Sequence, residues 1–267
     1  GMNATPEALQ HLRAELGLEM PLWRQYLEWI SAWCRADFWI SYTYKVPVLD
    51  LVAERLSVSA PLSLLALFIA VVAALPTALA GAWRPGQRID RITSALSQVG
   101  LAIPNYWLGL LLVLTFSVQL GWFPAGGFPG WEKGLSALRY LWLPAIALAV
   151  PQACVLARIL RTELGTMLDK DFSRTARAKG ASEWRVLWRH ALPNALIPTL
   201  TVLGLQLSFL LAGAVIVETV FALPGIGRLL FQAATQRDLM VIRSVVLLLV
   251  ATVVCVNLGV EFLWALI

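Results

Sequence analysis

Five stretches of this chain run without one Asp, Glu, Lys or Arg for about the length a helix needs to cross a bilayer, ~20 residues. They are Leu56 to Trp83, the interval between Arg91 and Glu132 (most apolar from Ser97 to Leu120), Tyr140 to Ala157, Asn194 to Val217, and Ser244 to Val260. None alternates polar with apolar residues as a barrel strand does, and hydrocarbon tolerates only helices or closed barrels. The expected class is therefore an all-α polytopic membrane protein with five spans. Composition agrees: 14% of residues are charged, against about 25% in soluble domains. The net charge of +5 lies between apolar runs rather than on a soluble face, which argues against a nucleic-acid partner.

Orientation follows from Lys and Arg in the loops. Segment 84–91, RPGQRIDR, carries three Arg and one Asp, and segment 158–193 carries eight Lys/Arg and four acids. Both are expected on the cytoplasmic side. Segments 121–140 and 218–243 are poorer in positive charge and are expected outside, which places residues 1–55 outside and the C-terminal end inside. A polar segment placed outside implies a further span before it, so six are expected in the intact protein. The division expected is an external amphipathic helical segment, 1–55, and a transmembrane domain, 56–267. In the former, Thr5-Pro6-Glu7 reads as a helix start and Gly17 as its stop, and Pro21 opens a second helix rich in Trp and Leu.

The segment RTARAKGASEWRVLWRHALP, 174–193, interrupts the apolar chain with a basic, tryptophan-bearing sequence. Asp169 and Asp171 precede Arg174, Arg177 and Lys179, a charge order that suits a helix dipole. Gly180 is a stop, Ser182 a cap, and Glu183 lies in the first turn of the next helix. Trp184, Leu187, Trp188, Ala191 and Leu192 then share one helical face, and Pro193 ends the amphipathic piece. Two uses fit such a segment: lying on anionic lipid, or docking another protein.

The same segment resembles the cytoplasmic loop of ABC-importer permeases, whose motif reads E-A-A-x3-G-x9-I-x-L-P. Arg174-Thr175-Ala176, Gly180, His190 and Leu192-Pro193 fall in register, with Arg174 in place of Glu and His190 in place of Ile. RTARAKG with VLWRHAL and NALIP, TPEALQHLRAELGLEMPLWRQYLEWI, GLAIPNYWLGLLLVL and ETVFALPGIGRLL together resemble the dipeptide/oligopeptide/nickel branch, and in it the first of two paralogous permease subunits. The resemblance implies a MetI-like fold, six spans, and a bacterial inner-membrane importer. It implies a paralogous permease, two ATP-binding subunits docked on loop 158–193, and an external solute-binding protein. Arg174, Thr175, Ala176, Gly180, Glu183, Trp184, Arg185, Leu192 and Pro193 are the coupling residues it points to. Glu218, Pro224, Gly225 and Gly227 are expected near the outer gate. The branch carries peptides, with nickel or a metal chelate as the alternative cargo.

This chain has no G-x4-G-K-[ST] loop and no nucleophile–base constellation, so ATP and Mg are expected on the partner ATPases and no catalytic residue or metal ligand here. Polar residues inside the runs, Asn105, Gln152, Gln206 and Ser208, are candidates for the path, against the alternative that they bond helices together. Gly204, Ser208 and Ala212 recur every fourth residue, as in close helix packing. A self-sufficient secondary transporter would carry mid-membrane charges and an internal repeat. A membrane scaffold would leave the motif register without a reason.

Overall fold

The computed structural model describes Gln10, residues 20–34 and residues 40–266; the helix expected after Thr5 and its stop at Gly17 lie outside the described residues. Among these residues the only β pairing is an isolated bridge between Ile40 and Pro47, and every named element is helical. Helix α1 spans Leu22–Cys34, after Pro21 as expected. Helix α2 spans Val48–Trp83 and so begins before the uncharged run. Next come α3, Arg88–Ala102, and α4, Asn105–Leu112, which continues as a π-helix over Val113–Gln119. A 3-10 segment, Trp131–Ala137, leads into α5, Leu138–Leu168. Helix α6, Asp171–Ala178, and α7, Glu183–Val186, are short; a π-helix, Leu187–Ala191, joins α7 to α8, Leu192–Val220. Helix α9, Ile226–Gln236, and α10, Leu239–Leu266, complete the chain.

Among the described residues four helical stretches are long and apolar enough to cross a membrane: Val48–Trp83, Trp131–Leu168, Glu183–Leu210 and Leu239–Phe262. The span expected near 97–120 is instead a broken one, α3 and α4 meeting at 95°. The break sits at Ile103-Pro104. A residue before proline avoids the α region, and Ile103 has ψ 120°; Pro104 donates no N–H to the preceding turn but accepts the Leu108 N–H at 3.0 Å to start α4.

The centre is the pair α2 and α5, which run parallel, both from the outer end to the cytoplasmic end. Ala66, Ala70, Ala74 and Ala78 recur every fourth residue on α2 and are buried, facing Leu141, Ala145, Leu148 and Leu156 from α5. Small residues let backbones approach closely where lipid gives helices no hydrophobic drive to associate. On α8, Gly204 abuts the Val260 side chain of α10, as a small-residue seam requires, while the side chain of Ala212 lies outside the described residues. Two further clusters cover the ends. Leu79 and Ala82 of α2 meet Leu160, Leu164, Leu187 and Leu192 at one end; Val48, Leu51 and Val52 meet Ile226, Leu229, Val241 and Val245 at the other. Loops 84–91 and 158–193 therefore share one side and 218–243 the opposite side, as the charge pattern requires.

Candidate functional site

The basic segment forms a compact unit at the cytoplasmic end. Helix α6 closes in a Schellman motif: Gly180 N–H donates to Arg177 O at 2.9 Å and Ala181 N–H to Ala176 O at 3.1 Å. Gly180 has φ +82°, a left-handed value that glycine adopts without strain. Ser173 and Ala176 face inward, and Ser173 Oγ donates to Met167 O at 2.8 Å, fixing α6 to the end of α5. Arg177 fastens the two short helices: Nε donates to Glu183 Oε1 at 2.9 Å, Nη2 to Oε2 at 3.1 Å, and Nη1 to Leu168 O at 3.0 Å. The bidentate geometry fixes direction as well as charge. Arg174, Thr175, Glu183, Trp184 and Arg185 point outward, while Ala176 and Leu192 are buried. Arg174 lies 3.8 Å from Asp171, one turn back.

Three expectations about this segment are corrected. Ser182 takes the cap position, but its hydroxyl makes no capping bond; the first hydrogen bond runs from Val186 N–H to the Ser182 carbonyl. Trp184 and Trp188 are not buried with the rest of their face. Each is 49% exposed, stacked on the other at 5.9 Å, with Trp184 edge-on to Trp83 at 5.7 Å. Leu187, Ala191 and the unanticipated Val186 are the buried members. Pro193 does not end the helix. The π-turns over Leu187–Ala191 make room for its ring, and Asn194 Nδ2 donates to His190 O at 2.7 Å beside the proline, so α7 runs on into α8.

The path candidates separate. Gln206 is buried on α8, and its Nε2 donates to Gln152 O on α5 at 3.0 Å, leaving its Oε1 without a partner. Gln152 meets it through the backbone, not the side chain. Ser208 turns back on its own helix toward Gly204 O at 3.4 Å. Asn105 opens α4 and accepts from its neighbour, Tyr106 N–H, at 2.9 Å. The structure thus joins Gln206 to Gln152 and leaves Ser208 and Asn105 apart.

At the outer end the expectation for Glu218 is corrected. It is not a loop residue but is fully buried in the last turns of α8. Ser59 Oγ donates to its Oε1 at 2.5 Å and Arg228 N–H to its Oε2 at 2.9 Å; Ser59 Oγ in turn accepts Ile226 N–H at 2.8 Å. A carboxylate from α8 and a hydroxyl from α2 thereby satisfy the free N–H groups that open α9. The glycines follow from this clasp. A Cβ on Gly225 would overlap the Glu218 carboxyl, and one on Gly227 would overlap the Val215 backbone. Pro224 sits in the connecting turn.

Several site residues carry no local signal and were not anticipated. Asp238 accepts from Ser41 Oγ at 2.6 Å, Thr43 N–H at 3.0 Å and Val241 N–H at 3.3 Å, tying the segment before α2 to the start of α10. Burial pushes its carboxyl up, but these hydrogen bonds outweigh burial and hold it below the ordinary carboxylate range. On the cytoplasmic side Arg161 of α5 makes a bidentate pair with Asp90 of α3 at 2.5 and 2.6 Å, and Asp90 also accepts Gly86 N–H at 2.8 Å. Both pairings span long sequence separations, so no local pattern reports them.

The described residues thus form a bundle of apolar helices with a basic, outward-facing unit at one end. The chain belongs to the family described as "Binding-protein-dependent transport system inner membrane component", which matches residues 66–267. It is a multi-pass inner-membrane protein, the permease subunit of a binding-protein-dependent ABC importer and not an ATPase itself; the family as a whole works with a second permease, an ATPase and a binding protein. It is 40% identical over 99% of its length, and 84% of the relative's, to a putative peptide transport system permease protein of Brucella abortus. It is 37% identical over 99% of its length, and 84% of the relative's, to the glutathione transport system permease protein GsiC of Escherichia coli. Its fold matches a chain of the inward-facing MetNI methionine ABC transporter with a TM-score of 0.69 at 21% identity, covering 82% of this chain and 97% of that one.

Proposed function

We propose that this subunit imports peptides, with residues 56–267 as the transmembrane permease domain, residues 1–55 as an external segment, and the α6–Gly180–α7 unit as the seat of an ATPase. The observation that carries the docking role is the two-sidedness of that unit. Its inner side is locked to α5 by Ser173 and Arg177, while Arg174, Thr175, Glu183, Trp184 and Arg185 stay exposed. Gly180 sets the angle between the helices, and Leu192 and Pro193 pass movement on into α8. Two ATP-binding subunits, holding ATP and Mg, would engage this unit and its counterpart on a paralogous permease, and a solute-binding protein would deliver cargo outside. Gln152 and Gln206 lie where α5 and α8 meet and would border the path, with Asn105 and Ser208 in supporting positions; Glu218, Pro224, Gly225 and Gly227 would hold the outer gate region. The peptide assignment is supported by the names of the relatives above.

The test is affinity purification of the tagged subunit from its own cell, with Arg174→Glu/Arg185→Glu beside wild type. Both side chains are exposed, so the bundle should fold unchanged. ATPase subunits should accompany the wild type and be lost from the variant, with loss of dipeptide uptake. ATPases retained at wild-type level would refute the docking role.

A further inference from the structure

A cavity of about 120 Å³ opens between α2, α3 and α5 near the cytoplasmic end, apart from both the docking unit and the Gln152–Gln206 contact. On its wall Thr77, Thr93 and Ser97 donate their hydroxyls to carbonyls of their own helices, Ser94 and Gln98 make no such bond, and Arg158 and Arg161 lie one turn apart on α5 at its edge. The two arginines differ. Arg161 is held by Asp90 through two hydrogen bonds. Arg158 is exposed and meets no carboxylate within ion-pair reach among the described residues. The single acid therefore neutralises one of two cations, and the cavity keeps a net positive charge. Gly81 leaves the space for this arrangement: a Cβ there would lie 3.0 Å from Thr93 Oγ1 and 3.3 Å from Arg161 Cδ.

Arg158 stands where α5 leaves its uncharged run. At that cytoplasmic boundary a guanidinium without a carboxylate faces water or an anion. The volume admits a small anionic group and a few waters, not a whole peptide. Ser94 and Gln98 beside the Arg158 guanidinium, whose orientation is free, and a second guanidinium fixed by its carboxylate form a receptor for a planar oxyanion.

We infer that this cavity receives the C-terminal carboxylate of the peptide as it leaves toward the cytoplasm, with Arg158 as its cation and Arg161, set by Asp90, as the positioning residue. The inference rests on the peptide-permease reading. It makes the free carboxylate, rather than the side chains, the common feature recognised on the inner side.

The test uses the complete nucleotide-free transporter in phosphatidylcholine nanodiscs, reacted with phenylglyoxal, with modification of Arg158 followed by peptide mass spectrometry. Excess alanyl-alanine should slow that modification about tenfold, the scale of one charge-assisted hydrogen bond, while its C-terminal amide should not. Equal protection by the amide, no protection, or failure of Arg158 to react at all would overturn the assignment. Protection by inorganic phosphate as strong as by alanyl-alanine would also overturn it, as would protection without peptide once phosphatidylglycerol is added. In proteoliposomes Arg158→Gln should lower alanyl-alanine uptake about tenfold, and Arg158→Lys should recover most of it. A wild type that carries no peptide in those liposomes would refute the peptide reading itself. Full peptide uptake with Arg158 unprotected would refute only this site.

Discussion

At the residue scale the outer clasp shows how one buried carboxyl dictates its neighbours. Glu218 accepts from Ser59 Oγ and from Arg228 N–H, so truncating it leaves donors of α2 and α9 unpaired in a dry place. Each such orphan costs about 1–3 kcal/mol. Glu218→Ala should lower the melting temperature of the purified transporter markedly, and Gly225→Ala should do the same by forcing the carboxyl aside; a melting curve equal to wild type for either would contradict the clasp. Asp238 makes a different prediction. Its folded carboxyl titrates below the ordinary value of about 3.9, so its stabilisation is fully present above that value. It is lost as pH falls through the lower, folded value. Asp238→Asn should therefore destabilise at neutral pH, and the gap between variant and wild type should close below about pH 3.9. Thermal melts across pH 3–7 read this directly, and a gap independent of pH would refute it. Neither residue was legible as buried. Each stands at the edge of an apolar run, where charge ordinarily means solvent, and its partners lie far away in sequence.

At the scale of elements, helices were legible wherever local chemistry decides them. Four of the five uncharged runs lie in helices long and apolar enough to cross a membrane, and Gly180 closes α6 in the left-handed conformation its position suggested. Two misreadings share one cause, backbone hydrogen bonding at prolines. An apolar count across 97–120 does not register that Pro104 has no N–H to offer, so one expected span is two helices at 95°. At Pro193 the same deficiency is absorbed by π-turns, and the helix continues. Tryptophan exposure was illegible for another reason: helical periodicity reports a shared face, not what covers it. Nothing crowds Gly180, since a Cβ there would meet no atom within 4 Å, so its value is conformational alone. Gly180→Val should cost about 1–2 kcal/mol as a non-glycine residue forced into the left-handed region, and Gly180→Asn less. Both variants should still assemble, but ATP hydrolysis should drive less uptake in the Val variant. Equal coupling in the two would show that the angle between α6 and α7 is unimportant.

At the scale of the whole molecule the two ends communicate through one rod. From Glu183 to Val220 the chain stays helical, with the docking unit at its start and Glu218 in its final turns, a length of about 57 Å at 1.5 Å per residue. The proximal part of that rod is anchored by Leu187, Ala191 and Leu192 against α2 and α5, and the distal part by the clasp with Ser59 and α9. Helix α2 is tied to both ends as well, through Ala78 and Leu79 inside and Ser59 outside. A push on α7 must then either tilt α8 against α2 or bend it. If α8 acts as a rigid lever, softening its middle should leave both ends assembled and cut the transmission between them. Leu200 and Leu205 are partly exposed positions on that stretch, and glycine in a helix interior costs about 1 kcal/mol relative to alanine while freeing the backbone. Leu200→Gly/Leu205→Gly should thus preserve co-purification of the ATPases and a substantial basal ATPase rate, while peptide taken up per ATP hydrolysed falls severalfold. Alanine at the same two positions separates lost side chains from lost stiffness: Leu200→Ala/Leu205→Ala should keep the ratio near wild type. A ratio reduced equally by both pairs would place the effect in side-chain packing, and the lever account of α8 would have to be abandoned.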